Sequence, residues 1–399
     1  MLRLAALLAV AILAVASPGR AQPAPAAVPV ISGAQTKGGE GGEVYTVNTL
    51  IDGGPGSLRK ALEKPGRRII KFAVGGVIRL KKPLRIEESQ VTVAGETAPS
   101  PGITLWGAPV RIWANDVILR HVRVRVGDGP GYNPDDRDGI TILGVNDKSK
   151  RKDALGPARN VLIENCSVSW AIDENVSLWF PGIQGVTIRN TIIAEGLDNS
   201  LHPKGPHSMG LLVGSGSRDI LIQGNLFAHN SYRNPVLAPG ATALVVNNVI
   251  YDPAGQAVHF YDDGDNPKVE GDNPILAIVQ GNVVRKGAST PAILDLFGLR
   301  GPKEKSRIYL ADNDSDGTRA FEPHWPAKGK PLFDPFADAP PVRVGPTVKI
   351  APAAGTYDAV LKGAGARPWD RDATDKRIIA EVVSRGGTMR DTPPAAEKP

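Results

Sequence analysis

The sequence predicts an all-β chain wound as a right-handed parallel β-helix, and three observations predict it. Short apolar alternations recur through the middle of the chain, at Val91, Val117, Val161, Val186, Ile220, Leu244 and Ala277. Each runs into a polar, Gly or Asn corner and a second short alternation. The central coils then carry a third apolar segment: "RDGITILG", "DENVSLWF", "PHSMGLLVG" and "YRNPVLA".

Successive starts lie 26, 44, 25, 34, 24 and 33 residues apart. The basic unit is therefore about 25 residues, and the longer gaps hold inserted loops. One such unit cannot bury its apolar face alone; stacked units bury it together. Period-2 alternation with β-branched residues makes the stack one of strands, not helices. A β-sandwich would place its turn signals closer together. Asn165, Asn190 and Asn248, with the Gly-Asn corners at 224–225 and 281–282, suit the bends. Asparagine tolerates left-handed backbone angles and hydrogen-bonds to its like in the next coil. The composition agrees, with 45 Gly, 35 Pro and only 5% aromatic residues, a turn-rich balance.

The N-terminus, "MLRLAALLAVAILAVASPGRAQPAP", has an early arginine, a short apolar run and small residues. Residues 1–21 are read as a secretory signal cleaved near Ala21-Gln22, too short and wrongly flanked for a spanning helix, though an uncleaved anchor is the alternative. The protein is thus expected to be secreted or periplasmic. Residues 22–32 read as a flexible linker and 33–300 as the β-helix. In "SLRKALEK" a short helix at the N-terminal end starts at Ser57 and stops before Pro65. Residues 301–388 read as loops laid along the solenoid with a helix in "DRDATDKRIIAEVVSR", and 389–399 as a disordered tail.

The single cysteine, Cys166, excludes an internal disulfide framework and reads as a small core residue. Loss of the signal's two arginines lowers the net charge from +6 to +4, still basic. A basic exported protein suits a polyanion, and outside the cell an acidic polysaccharide is the expected partner, not nucleic acid or membrane. The chain is expected to act as a monomer. "DNDSDG" at 312–317 imitates half a calcium loop but lacks the terminal Glu spacing, so it reads as a turn.

If the third segments lie side by side, their entry residues line up: Asp138, then Asp173 and Glu174, then His207, then Arg233. The inserted loops at 125–157 and 194–208 would wall the groove above them. Clustered carboxylates suit a hard dication such as Ca²⁺, and an arginine beside it suits a carboxylate-bearing ligand. Turn capping is the plain alternative for both aspartates, a salt bridge or carbonyl clamp for Arg233, and a packed role for His202 and His207.

These stretches, with "GGEGGEVYTVNTLIDGGPGSLRKAL", "VLIENCSVSWAIDENVS" and "HNSYRNP", resemble the pectate lyase superfamily, specifically a family 1-type polysaccharide lyase, from about Gly33 to Thr388. The resemblance implies β-elimination on a uronate polymer such as pectate. It assigns Arg233 in "RNP" as the base, and Asp138 and Asp173 as calcium ligands with Glu174 beside them. It matches His207 to the family's histidine; Lys204, which can reach the space of the family's lysine, and His202 are the other substrate-binding candidates. Three positions depart from the family pattern: Ser177 for a second aspartate, Met209 for a lysine and Ala238 for a second arginine. A hydrolase using Asp138, Asp173 or Glu174, and a non-catalytic glycan binder, are the competing readings, and His207 is a rival base.

Overall fold

The computed structural model describes residues 28–131, 133–144, 156–179, 181–261, 273–294, 296–297, 305–322 and 334–399. The signal segment lies outside these residues. Three parallel sheets run the length of a right-handed solenoid. Sheet A has ten strands from Glu43–Val47 to Arg307–Ala311, sheet B nine from Gly76–Arg79 to Asp314–Ser315, and sheet C seven from Leu84–Ile86 to His259–Phe260. The chain visits A, B and C in turn, then climbs one rung.

All seven repeat starts fall in sheet A. The register pairs Val91 with Val117, Val161, Val186 and Ile220 in succession. Ile220 then pairs with Ala243, and Ala243 with Ala277, so the repeat at Leu244 is displaced by one residue. The strand Thr242–Val246 is buried on both faces: Ala243 and Val245 point into the solenoid, and Leu244 packs outside with Ile31 and Val342. A strand apolar on both faces carries no alternation to reveal which side faces in.

The bends work as the corners suggest. Gly224, Asn247 and Gly281 hold left-handed φ of 68°, 53° and 71°. The residues after them form a ladder: Asn225 donates to Asn248, Asn248 to Asn282 and Asn282 to Asn313, each at 3.0 Å. Asn165 and Asn190 take the left-handed position instead, φ 46° and 50°, and Cys166 and Thr191 follow them where the ladder would run. Cys166 is buried, and burial pushes its thiol up to about 12.

At the N-terminal end the helix Leu58–Leu62 begins at Ser57, whose hydroxyl accepts from Lys60 N at 3.3 Å. Arg68 is buried against its C-terminus and donates to the carbonyls of Leu62 at 2.8 Å and Ala61 at 3.3 Å, which no further helical turn could satisfy. At the other end the solenoid runs past residue 300, since Arg307–Ala311 completes sheet A. "DNDSDG", read as a turn, is the corner between the last strands of sheets A and B and includes the sheet-B strand Asp314–Ser315: Asp312 accepts from Ala353 N at 3.0 Å, and Asp314 pairs with Arg285 at 2.6 Å.

Two of the three outer faces are covered. The N-terminal strand and residues 342–350 lie on sheet A, with Ile31 and Val342 against Leu221 and Leu244. Helices Thr356–Gly363 and Ala373–Ser384 lie on sheet B, with Val360, Ile378 and Val382 against Ile192, Leu226 and Val249. The second was expected; the first was not. Residues 389–399, expected as a disordered tail, are packed as well: Glu397 pairs with Arg377 at 2.6 Å, and Arg390 with Glu195 at 3.0 Å. Sheet C is left open for a site.

Under the second helix, His229 Nδ1 lies 2.9 Å from Asp252 and Nε2 lies 3.3 Å from Glu381. Burial favours the neutral imidazole, but the two carboxylates prevail and hold its pKa above the ordinary value. A raised imidazole stabilises the fold fully below its unfolded pKa and loses that contribution as pH rises through the folded one. The melting temperature is therefore expected to fall with a step above the ordinary histidine range. His229→Gln should remove that step, read by thermal denaturation across the alkaline range.

Candidate active site

The entry corners of sheet C assemble as the spacing requires. Ile140 pairs with Val176, Glu174 with Met209, and Met209 bridges to Tyr232. Asp138 and Glu174 therefore sit at the same edge of neighbouring rungs, about 4.8 Å apart, and Arg233 stands at that edge two rungs beyond Glu174. They open into one cleft of ≈ 680 Å³ whose lining also includes Asp173, Lys204 and His207. Arg233 has a left-handed φ of 59°. Its guanidinium reaches back two rungs to an ion pair with Glu174, stays 21% exposed, and lies 5.7 Å from the Tyr232 ring.

Asp138, Asp173 and Glu174 offer carboxylate oxygens all within 4.8 Å of one another. Thr141 and Ser177 donate to Asp138 Oδ2 at 2.8 and 2.5 Å, so Ser177 orients the carboxylate next to it. Burial, then the charge of Asp173, pushes Asp138 up to about 7. Burial pushes Asp173 up to about 6; Arg233 and Lys204 pull the other way, while Asp135 and Asp136 add to the rise. Asp138 and Asp173, two crowded acids that resist joint ionisation, form with Glu174 a donor set suited to a hard dication, which would relieve the repulsion.

The histidines divide. His207 lines the cleft, its Nδ1 within 3.0 Å of Gly205 O and its Nε2 3.8 Å from Asp173. His202 lies behind it, fully buried, with ring centroids 3.4 Å apart. Burial, followed by His207 and Lys204, lowers His202 to about 4, so it is neutral. Lys204 pairs with Asp135 at 3.0 Å. Met209 lines the cleft and adds no charge, and Ala238 is fully buried, so no second arginine stands there.

Several lining residues were missed by sequence reasoning: Asp135, Arg111, Trp113 and Tyr232. Asp135 lies in the loop insert, three residues before Asp138, and that was its only signal. Trp179 stands at the groove wall, 44% exposed, whereas Trp170 is core and donates to Glu195 at 2.8 Å.

No protein-family model matches the chain. It is 34% identical to a probable pectate lyase C of Aspergillus flavus over 364 residues, covering 89% of this chain and 76% of that one. A probable pectate lyase C of Aspergillus oryzae is 33% identical with the same coverage. Among solved structures, the major cedar pollen allergen jun a 1 superposes with a TM-score of 0.57 at 18% identity, covering 83% of this chain and 90% of that one. A pectate lyase from Bacillus sp. N165 in complex with trigalacturonate superposes with a TM-score of 0.54 at 14% identity, covering 83% and 95%. The sequence relatives, covered over three-quarters of their length, decide the matter: the chain belongs to the pectate lyase family of polysaccharide lyases.

Proposed function

We propose that this protein cleaves a pectate-type polygalacturonate by β-elimination after export, with Arg233 as base and Asp138, Asp173 and Glu174 as the residues that hold Ca²⁺. One observation carries this reading: the guanidinium and the three clustered carboxylates share one cleft. The names of the relatives point to the same substrate class.

A bound Ca²⁺ would draw charge from the uronate carboxylate and make the C5 proton more acidic. Arg233 stands at the cleft edge to take that proton. The electron pair left behind forms the C4=C5 double bond, the C4–O bond breaks, and the departing oxygen takes a proton from water. Arginine is a reluctant base, with a pKa above about 12 in ordinary settings. A Ca²⁺ held by the acid cluster would put positive charge in the same cleft, the general condition under which a basic group gives up its proton more readily. Thr141 and Ser177 fix Asp138 so that the acid cluster is formed in advance. No helix among the described residues is long and apolar enough to cross a membrane, and the basic mature chain suits an acidic polymer.

The test is incubation with polygalacturonate while following ultraviolet absorbance of unsaturated sugar ends. Absorbance should rise, fall in rate by about a hundredfold or more with a chelator, and recover with added CaCl₂. New reducing ends without absorbance would mark hydrolysis, and silence on every uronate polymer would remove the lyase reading.

A further inference from the structure

The two inserted loops that wall the cleft share a support, the segment 389–398. None of its residues lines the cleft, yet it touches both loops. On the 194–208 loop, Leu197 forms a parallel bridge with Arg390, and Asp198 N donates to Arg390 O at 2.7 Å. Asn199 N donates to Asp391 Oδ1 at 3.0 Å. The same loop residues hold its returning arm. Ser208 N donates to Leu197 O and His207 N to Asp198 O, both at 3.0 Å. His207 is thus held by a residue that the segment holds.

On the other loop, Asp128 accepts from the Thr392 hydroxyl and pairs with Lys398 at 3.1 Å. Burial opposes its ionisation, but these two donors prevail and hold the carboxyl below the ordinary range. The neighbouring carbonyls of Gly127 and Gly129 accept from the Arg137 guanidinium at 3.4 and 2.8 Å. Arg137 is buried and directly precedes Asp138. Its own carbonyl accepts from Ile172 N at 3.0 Å and Asp173 N at 3.3 Å. A path of hydrogen bonds therefore runs from Thr392 and Lys398 to the backbone of both aspartates of the acid cluster.

The segment is itself fixed to the body of the protein. Arg390 pairs with Glu195 at 3.0 Å and Glu381 at 3.1 Å, and Glu397 with Arg377 at 2.6 Å. Reacting groups must be placed to within a fraction of an ångström, and a loop has no sheet ladder to place it. A fixed segment that touches both loops can supply that placement.

We propose that Asp391, Thr392 and Lys398 are positioning residues for the cleft. Thr392 and Lys398 set the acid cluster through the Asp128 loop. Asp391 sets His207 and Lys204 through the 194–208 loop. This rests on the reading of the cleft given above, and adds that its two walls are set separately from one brace.

The test uses Thr392→Val with Lys398→Met, and separately Asp391→Ala, all at exposed positions. In the double variant, amide hydrogen exchange should quicken over residues 127–138, and Ca²⁺ affinity by calorimetry should fall about tenfold, as when a metal ligand loses its support. Thr392→Ser with Lys398→Arg keeps both donors and should restore it. In Asp391→Ala, exchange should quicken over residues 197–208 and KM on polygalacturonate should rise about fivefold, with kcat and Ca²⁺ affinity within about twofold of wild type. Asp391→Asn keeps an acceptor and should return KM toward wild type. A clasp that serves stability alone would lower the melting temperature without this split. Ca²⁺ affinity unchanged in the double variant and KM unchanged in Asp391→Ala, each within about twofold, would overturn the brace and leave the lyase reading intact. A wild-type protein with neither Ca²⁺ binding nor turnover would instead overturn the reading of the cleft; the brace would then be decided by exchange, and unchanged exchange in both loops would overturn it too.

Discussion

Arg233→Lys is expected to lower kcat/KM on polygalacturonate by about a thousandfold, within the range for a removed general base, and to leave oligosaccharide affinity within about threefold of wild type. Lysine is chosen because Glu174 is nearly buried and needs a cation beside it. Arg233→Ala would strand that carboxylate and confuse lost chemistry with lost structure. The ammonium keeps the charge, yet it is a point charge on a flexible stem, and the planar fork that reaches two rungs while lying 5.7 Å from Tyr232 is gone. Proton abstraction tolerates little misplacement, so the loss should fall on kcat. Initial rates by ultraviolet absorbance, paired with fluorescence binding, separate the two terms. A lysine variant keeping a tenth of the wild-type rate would rule Arg233 out as base. His207, whose Nε2 also lies by Asp173, would then be the next candidate.

Much of this site was legible because the solenoid converts sequence position into place. Asp138, Asp173, His207 and Arg233 enter equivalent strands of successive coils, so the coil register brings them to one edge even though inserted loops make their spacings unequal. His202 was harder, because a loop residue follows no register; it ends up behind His207. Arg111 and Trp113 stayed hidden for the opposite reason. They occupy ordinary strand positions, and only the cleft's extent gives them a role. The helix Thr356–Gly363 has no side-chain N-cap, the signal that marked the helix starting at Ser57. The two helices on sheet B are held by partners nearly two hundred residues away, and no local pattern encodes such pairs.

The strongest of those distant pairs gives the largest expected effect on stability. Glu195 is fully buried on the rung behind the second helix. Arg377 grips it with both terminal nitrogens, at 2.7 and 2.8 Å, while Trp170 donates at 2.8 Å and Arg390 at 3.0 Å. Burial opposes ionisation, but Arg377, Trp170 and Arg390 outweigh it and hold the carboxyl below the usual range. Arg377→Ala leaves a buried anion with Arg390 as its remaining cation, and should cost about 3 kcal/mol, the lower end for a broken buried pair. Glu381 and Glu397, which Arg377 also binds, lose a partner in the same step. A depressed carboxyl stabilises the fold above its unfolded pKa and loses that contribution as pH falls through the folded one. Urea denaturation should therefore show the largest gap between Arg377→Ala and wild type near neutrality, narrowing in acid. Glu195→Gln should narrow the gap in another way: with the anion gone, adding Arg377→Ala should cost less than it does alone. Equal costs in the two backgrounds would mean that Arg377 acts through Glu381 and Glu397, and that the helix is clasped from its surface and not through the solenoid wall.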